Sequence, residues 1–172
     1  MRNFVLTGTP GAGKTAVLRM LELHGHAVVE EAATDVIALR LALGQQQPFP
    51  GFIDAILDLQ RRREEGVRAS GDVFFDRSPV CTLALSRYAG LPAAPALTAA
   101  VARAVAFYRP TVFFVRNQGF VEPTAARRIS FADSLRFERI HEETYLECGF
   151  TLVEVPPGPL AERVAVVEAA LR

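Results

Sequence analysis

The chain has 172 residues, 50% hydrophobic and 22% charged, the balance of one globular domain, which excludes a disordered chain, a collagen-like chain or a repeat array. Its 19 Lys and Arg equal its 19 Asp and Glu, so no net basic field draws it to nucleic acid or an anionic membrane. Two cysteines, Cys81 and Cys148, are too few for a disulfide framework or a multi-cysteine zinc site, and with no signal-like opening or bilayer-length apolar run the expectation is a cytoplasmic monomer or homodimer with no nucleic-acid or membrane partner.

In chain order, the apolar run Asn3 to Thr7 predicts a strand, and Val17, Leu18 and Leu21 predict a helix over 13–24. Ala27 to Val29 reads as a second strand, followed by a helix from Ala33 to Leu43 that stops at Gly44. Residues 45–51, with two prolines, read as a loop. Helical period returns from Phe52 to Arg68, and Val73 to Phe75 is a third strand. Helices are expected at 79–88 and 96–107, then a strand at Thr111 to Val115. A polar, arginine-bearing loop, 116–130, leads to a helix from Asp133 to Cys148 with Phe137, Ile140, Thr144 and Cys148 expected on its buried stripe. Phe150 to Val155 is the fifth strand, and Leu160, Val164, Val167 and Leu171 align on a last helix. Five apolar strands separated by helices predict one α/β domain over 1–172, a three-layer α/β/α arrangement of a parallel sheet covered on both faces.

The strongest chemical signal is Gly8-Thr9-Pro10-Gly11-Ala12-Gly13-Lys14-Thr15, a complete G-x-x-x-x-G-K-T between a strand and a helix. Its glycines let backbone N–H groups curl around phosphate oxygens, and the helix N-terminus, with Ala16 in its first turn, adds positive potential. Lys14 would reach the β- and γ-phosphates and Thr15 would hold Mg2+. Lys14 is the only lysine among the 19 basic residues, which marks a site where ammonium and guanidinium are not interchangeable. The second signal is Val73 to Ser78, an apolar strand ending in Asp76, whose carboxylate at a strand end could hold Mg2+, take a proton, or simply cap the next helix. Glu30 and Glu31, after the second strand, suit either acceptor binding or a helix start. His24 and His26 lack a further metal ligand and read as surface residues, and Phe74, Phe75, Phe113 and Phe114 read as core.

Over nearly its whole length the chain resembles the nucleoside- and nucleotide-kinase division of the P-loop proteins. It is also similar to small AAA-domain ATPases that group with nicotinamide-riboside kinase domains. The resemblance rests on the phosphate loop, Glu30-Glu31-Ala32, Gln60 with Arg61-Arg62, Phe75-Asp76-Arg77, Arg127-Arg128, Phe137, Tyr145, and the ending from Gly149 to Pro156. It implies a sheet order of 2-3-1-4-5, ATP or another NTP with Mg2+ as cofactors, and a small-molecule phosphoryl acceptor. It also implies Asp76 as base or metal holder, Arg77 as acceptor contact, Arg62 near an acceptor phosphate, and Arg127 with Arg128 as catalytic arginines of a lid over 116–131. Residues 156–158 would border the adenine, or form only a turn. The resulting expectation is an ATP-dependent phosphotransferase on a nucleoside-like or other hydroxyl compound. The alternatives are a nucleotide hydrolase and a nucleotide-gated binding protein. A GTPase switch is disfavoured because N-K-x-D needs a second lysine, and a ring-forming motor because the chain has no room for its helical lid domain.

Overall fold

The computed structural model describes residues 1–46, 50–119 and 130–171. Its strands are β1 (Arg2–Thr7), β2 (Ala27–Val29), β3 (Asp72–Asp76), β4 (Thr111–Val115) and β5 (Thr151–Val155). The helices are α1 (Lys14–Leu23), α2 (Ala32–Ala42), α3 (Phe52–Gly66), α4 (Pro79–Tyr88), α5 (Pro95–Phe107), α6 (Phe131–Glu147) and α7 (Leu160–Ala169). Element bounds differ from the sequence expectations by one or two residues, within the fraying of helix and strand ends.

The sheet is wholly parallel with order β2-β3-β1-β4-β5, as the resemblance implied. No strand separates β1 from β3: Val5 pairs with Phe75 and Leu6 with Asp76. That register carries Asp76 to the same sheet edge as the loop that follows Thr7, where an open parallel sheet binds ligands.

Side-chain alternation along β1 divides the core. Phe4 and Leu6, with Phe74, Phe113 and Val155, pack against Val17, Leu18 and Leu21 of α1 and Val164 and Val167 of α7. Val5, with Val73, Phe75 and Val112, packs against Val80 and Cys81 of α4, Ala104 of α5 and Tyr145 of α6. Phe74, Phe75, Phe113 and Phe114 are all buried core, as expected.

The buried stripe of α6 differs from the sequence expectation. It is Ser134, Phe137, His141, Thr144 and Tyr145, while Ile140 and Cys148 are only half-buried. Apolarity misplaced it because two of the polar residues on this face are satisfied locally: Ser134 Oγ donates to the Phe131 carbonyl (2.7 Å) and Thr144 Oγ1 to that of Ile140 (2.6 Å), while the buried His141 ring packs against Phe137 with neither nitrogen hydrogen-bonded. Among the described residues, no helix is long and apolar enough to cross a membrane.

Candidate nucleotide and acceptor site

The loop between β1 and α1 is built on left-handed glycines, Gly8 (φ 134°), Gly11 (φ 88°) and Gly13 (φ 83°). A Cβ on Gly8 would lie 2.3 Å from the Val115 carbonyl oxygen, so only glycine lets the loop leave β1 so close to the end of β4. Gly13 caps α1 with its backbone, and the following residues begin the helix whose N–H groups face the crevice. Lys14 is buried and its Nζ donates to the Thr9 carbonyl at 3.0 Å. Burial first, then the Arg77 charge, lowers the Lys14 pKa to about 8, against the pull of Asp76 and Glu31.

Asp76, at the end of β3, is buried beneath the loop, with Oδ2 3.5 Å from the Thr15 hydroxyl. Its Oδ1 is buried without a hydrogen-bond partner. Burial raises its pKa, although Lys14 and Arg77 oppose the rise. An orphaned carboxylate oxygen beside a hydroxyl is a hard-oxygen donor set, which fits Mg2+ completed by phosphate oxygens and water.

Arg77 is the only described non-glycine residue with a left-handed backbone (φ 74°), a conformation that costs about 1–3 kcal/mol. Its N–H is tied to the Leu6 carbonyl at 3.0 Å, and Ser78 immediately turns the chain into α4 by capping Val80 N–H. The turn sends the guanidinium across the crevice, where Nε lies 2.6 Å from Glu31 Oε1, an ion pair whose N–H is not aimed along the contact. Glu31 Oε2 accepts from the Thr34 hydroxyl at 3.1 Å. Burial opposes the Glu31 charge, but Arg77 and Lys14 outweigh it and its pKa stays below the usual carboxylate value.

Glu31 and Arg77 share one cavity of about 500 Å³ with Pro10, Gly11, Gly13, Lys14 and Thr15. Its far walls are apolar, from Ala32, Ile37, Phe52, Ile56, Leu85 and Phe137, interrupted by Thr34, Gln60, Ser78 and Thr82. The structure therefore gathers Lys14, Thr15, Asp76, Glu31 and Arg77 at the sheet edge.

Other predicted site residues fall elsewhere. Glu30 is exposed and pairs with Arg19. Arg62 is exposed and does not line the cavity; the same helix presents Phe52, Ile56 and Gln60 instead. Ala16 is exposed on the first turn of α1, and Thr9 and Ala12 are buried within the loop. Arg127, Arg128 and most of the candidate lid lie outside the described residues.

Thr82 and Leu85 of α4, and Phe52 and Ile56 of α3, also line the cavity and were not among the candidate site residues. The spacing of Phe52, Ile56 and Gln60, four residues apart, marks a single helix face and was the available signal.

Three comparisons bear on this geometry. No curated protein matches the sequence significantly. Among solved structures, the chain is similar to deoxyadenosine kinase from M. mycoides with the products dCMP and a flexible dCDP bound (TM-score 0.65, 13% identity, 98% of each chain covered). It is also similar to thymidylate kinase from Ehrlichia chaffeensis (TM-score 0.63, 12% identity, 99% of this chain and 98% of that one). At such identity the likeness shows the fold alone, a P-loop kinase-like fold over the whole chain. The AAA domain family model matches residues 3–163, and with its complete phosphate loop and β2-β3-β1-β4-β5 sheet the chain belongs to that AAA-domain family.

Proposed function

We propose that the protein is a phosphotransferase that moves the terminal phosphoryl group of ATP, or another NTP, to a hydroxyl of a small uncharged molecule. The observation that carries this reading is the single cavity that joins Lys14 and Thr15 to an apolar chamber containing Glu31. Water needs no such chamber, whereas a volume of about 500 Å³ falls in the range of small-molecule sites. The similar structures, a nucleoside kinase and a nucleotide kinase, support the same class.

Charge favours the uncharged acceptor. Among the described residues, the cavity is lined by two cations, Lys14, which faces the donor phosphates, and Arg77, already paired with Glu31. Arg61 pairs with Glu65, and Arg63 is held by Asp35 and the carbonyls of Glu30 and Glu31. A phosphate on the acceptor would find no uncommitted cation on these walls, while Gln60, Thr34 and Thr82 offer hydrogen bonds to a neutral heterocycle or polyol between Phe52 and Phe137.

In this reading the loop N–H groups and Lys14 hold the β- and γ-phosphates. Thr15 and Asp76 would hold Mg2+, which when bound neutralises charge on the phosphate oxygens. Glu31, ionised at neutral pH, receives the acceptor hydroxyl hydrogen bond and takes its proton as the acceptor oxygen bonds to the γ-phosphorus and the bond to the leaving diphosphate breaks. Arg77 holds the Glu31 carboxylate in place. The test is ADP formation from ATP and Mg2+ with panels of neutral nucleosides, sugars and other hydroxyl compounds, against the same compounds as monophosphates. Stimulation by a neutral compound is expected; stimulation by monophosphates alone would overturn the charge argument.

A further inference from the structure

Arg163, on α7, is a buried guanidinium with no carboxylate within ion-pair distance among the described residues. Burying a guanidinium without a counter-charge is costly, and burial lowers its pKa. Its partners are neutral. Nη2 donates to the Ala12 carbonyl oxygen at 2.6 Å, inside the phosphate loop. With its amide oxygen turned toward the guanidinium, Gln118 accepts from Nη1 at 2.6 Å and Nη2 at 3.1 Å. A Cβ on Gly13 would lie 2.7 Å from Nη1, so the glycine that precedes Lys14 also makes room for this side chain.

Ala12 C=O and Gly13 N–H belong to one peptide unit, and in a trans, planar peptide they point in opposite directions. Drawing the carbonyl outward onto Arg163 therefore turns the Gly13 N–H away from α7. We propose that Arg163 is a positioning residue for nucleotide binding, which fixes the Ala12–Gly13 peptide so that the Gly13 N–H is aimed at the donor phosphate, with Gln118 bracing the guanidinium from the end of β4. The inference rests on the reading of this loop as a nucleotide site. It gives the last helix, remote in sequence, a direct hold on the loop, through charge-assisted bonds that are stronger than neutral ones.

The test is isothermal titration of ATP·Mg2+ into wild type, Arg163→Met, Arg163→Lys and Gln118→Ala, each shown to be folded by its thermal melt. Arg163→Met should weaken binding at least about tenfold, the size expected for losing a charge-assisted bond. Arg163→Lys, one-pronged but still charged, should recover part of that loss, and Gln118→Ala should weaken binding less than Arg163→Met. The Gly13 amide proton resonance reports the direction of the N–H: ADP should shift it downfield in wild type and less in Arg163→Met. A purely structural residue would lower the melting temperature and leave affinity and this shift unchanged, and that result overturns the inference. Should Arg163→Met not fold, wild-type affinity in both Arg163→Lys and Gln118→Ala overturns it equally. A wild type that binds no nucleotide overturns the nucleotide reading itself, and the inference with it.

Discussion

Lys14 links nucleotide binding to protons and to stability. Its pKa is about 8 in the folded protein against an ordinary lysine value of 10.5, a gap worth about 3 kcal/mol. The unfolded chain therefore binds more protons between pH 8 and 10.5, so stability of the nucleotide-free protein rises with pH through that window and is flat below it. Replacing Lys14 by Met removes the buried charge and also the bond to the Thr9 carbonyl, worth about 1 kcal/mol, so at pH 7 the variant should be more stable by roughly 2 kcal/mol, or about 4–8 °C. A polyphosphate stabilises the charged lysine, so binding must take up protons: about 0.1 per nucleotide at pH 7 and about 0.5 at pH 8. Between pH 7 and 9 the dissociation constant should rise roughly tenfold, about 1.4 kcal/mol, in a range where the nucleotide phosphates themselves are already ionised. Titration calorimetry in buffers of different ionisation enthalpy measures the protons directly, and Lys14→Arg, always charged, should take up none. Buffer-independent heats in wild type at pH 8, or a Lys14→Met protein less stable than wild type, would show that Lys14 is not held at a depressed pKa.

Asp76→Asn should keep ATP affinity within a few-fold while phosphoryl transfer falls by about 100-fold or more, because the amide fills the same space but holds a metal poorly; single-turnover rates beside calorimetric affinities check this. Glu31→Gln should lower kcat by about 100-fold with little change in ATP affinity, since it removes the proton acceptor and leaves Arg77 without its counter-charge; steady-state kinetics in both substrates check it. Gly8→Ala should cost roughly 2–4 kcal/mol, from a left-handed backbone and a Cβ set against the Val115 carbonyl, read as a lower midpoint in denaturant.

What the sequence revealed follows how local its rules are. The phosphate loop was legible because strand, glycines, Lys14 and Thr15 are contiguous, and the strands because their apolar runs are short and bounded. The sheet order came from resemblance and not from spacing, since nothing in a strand's own residues names its neighbours. Which arginine of the run from Arg61 to Arg63 matters depended on helix rotation: Gln60 turns to the cavity, Arg63 to the carbonyls of Glu30 and Glu31, and Arg62 outward. Similarly, of Glu30 and Glu31 only the second faces Arg77, a choice fixed by the entry of the chain into α2. Arg163 was invisible because its partner Ala12 stands 151 positions away, and one Arg beside an apolar stripe looks like any solvated surface charge.

In the proposed reaction the γ-phosphate goes to a neutral hydroxyl held in the chamber beside Glu31. Following the terminal phosphorus of γ-labelled ATP through a reaction with the acceptor that most stimulates ADP formation tests it most directly. Label should be recovered on the acceptor in equal amount to the ADP formed, with little free phosphate in the acceptor's absence. Label released as inorganic phosphate at the same rate with and without acceptors would contradict it and make the protein a hydrolase.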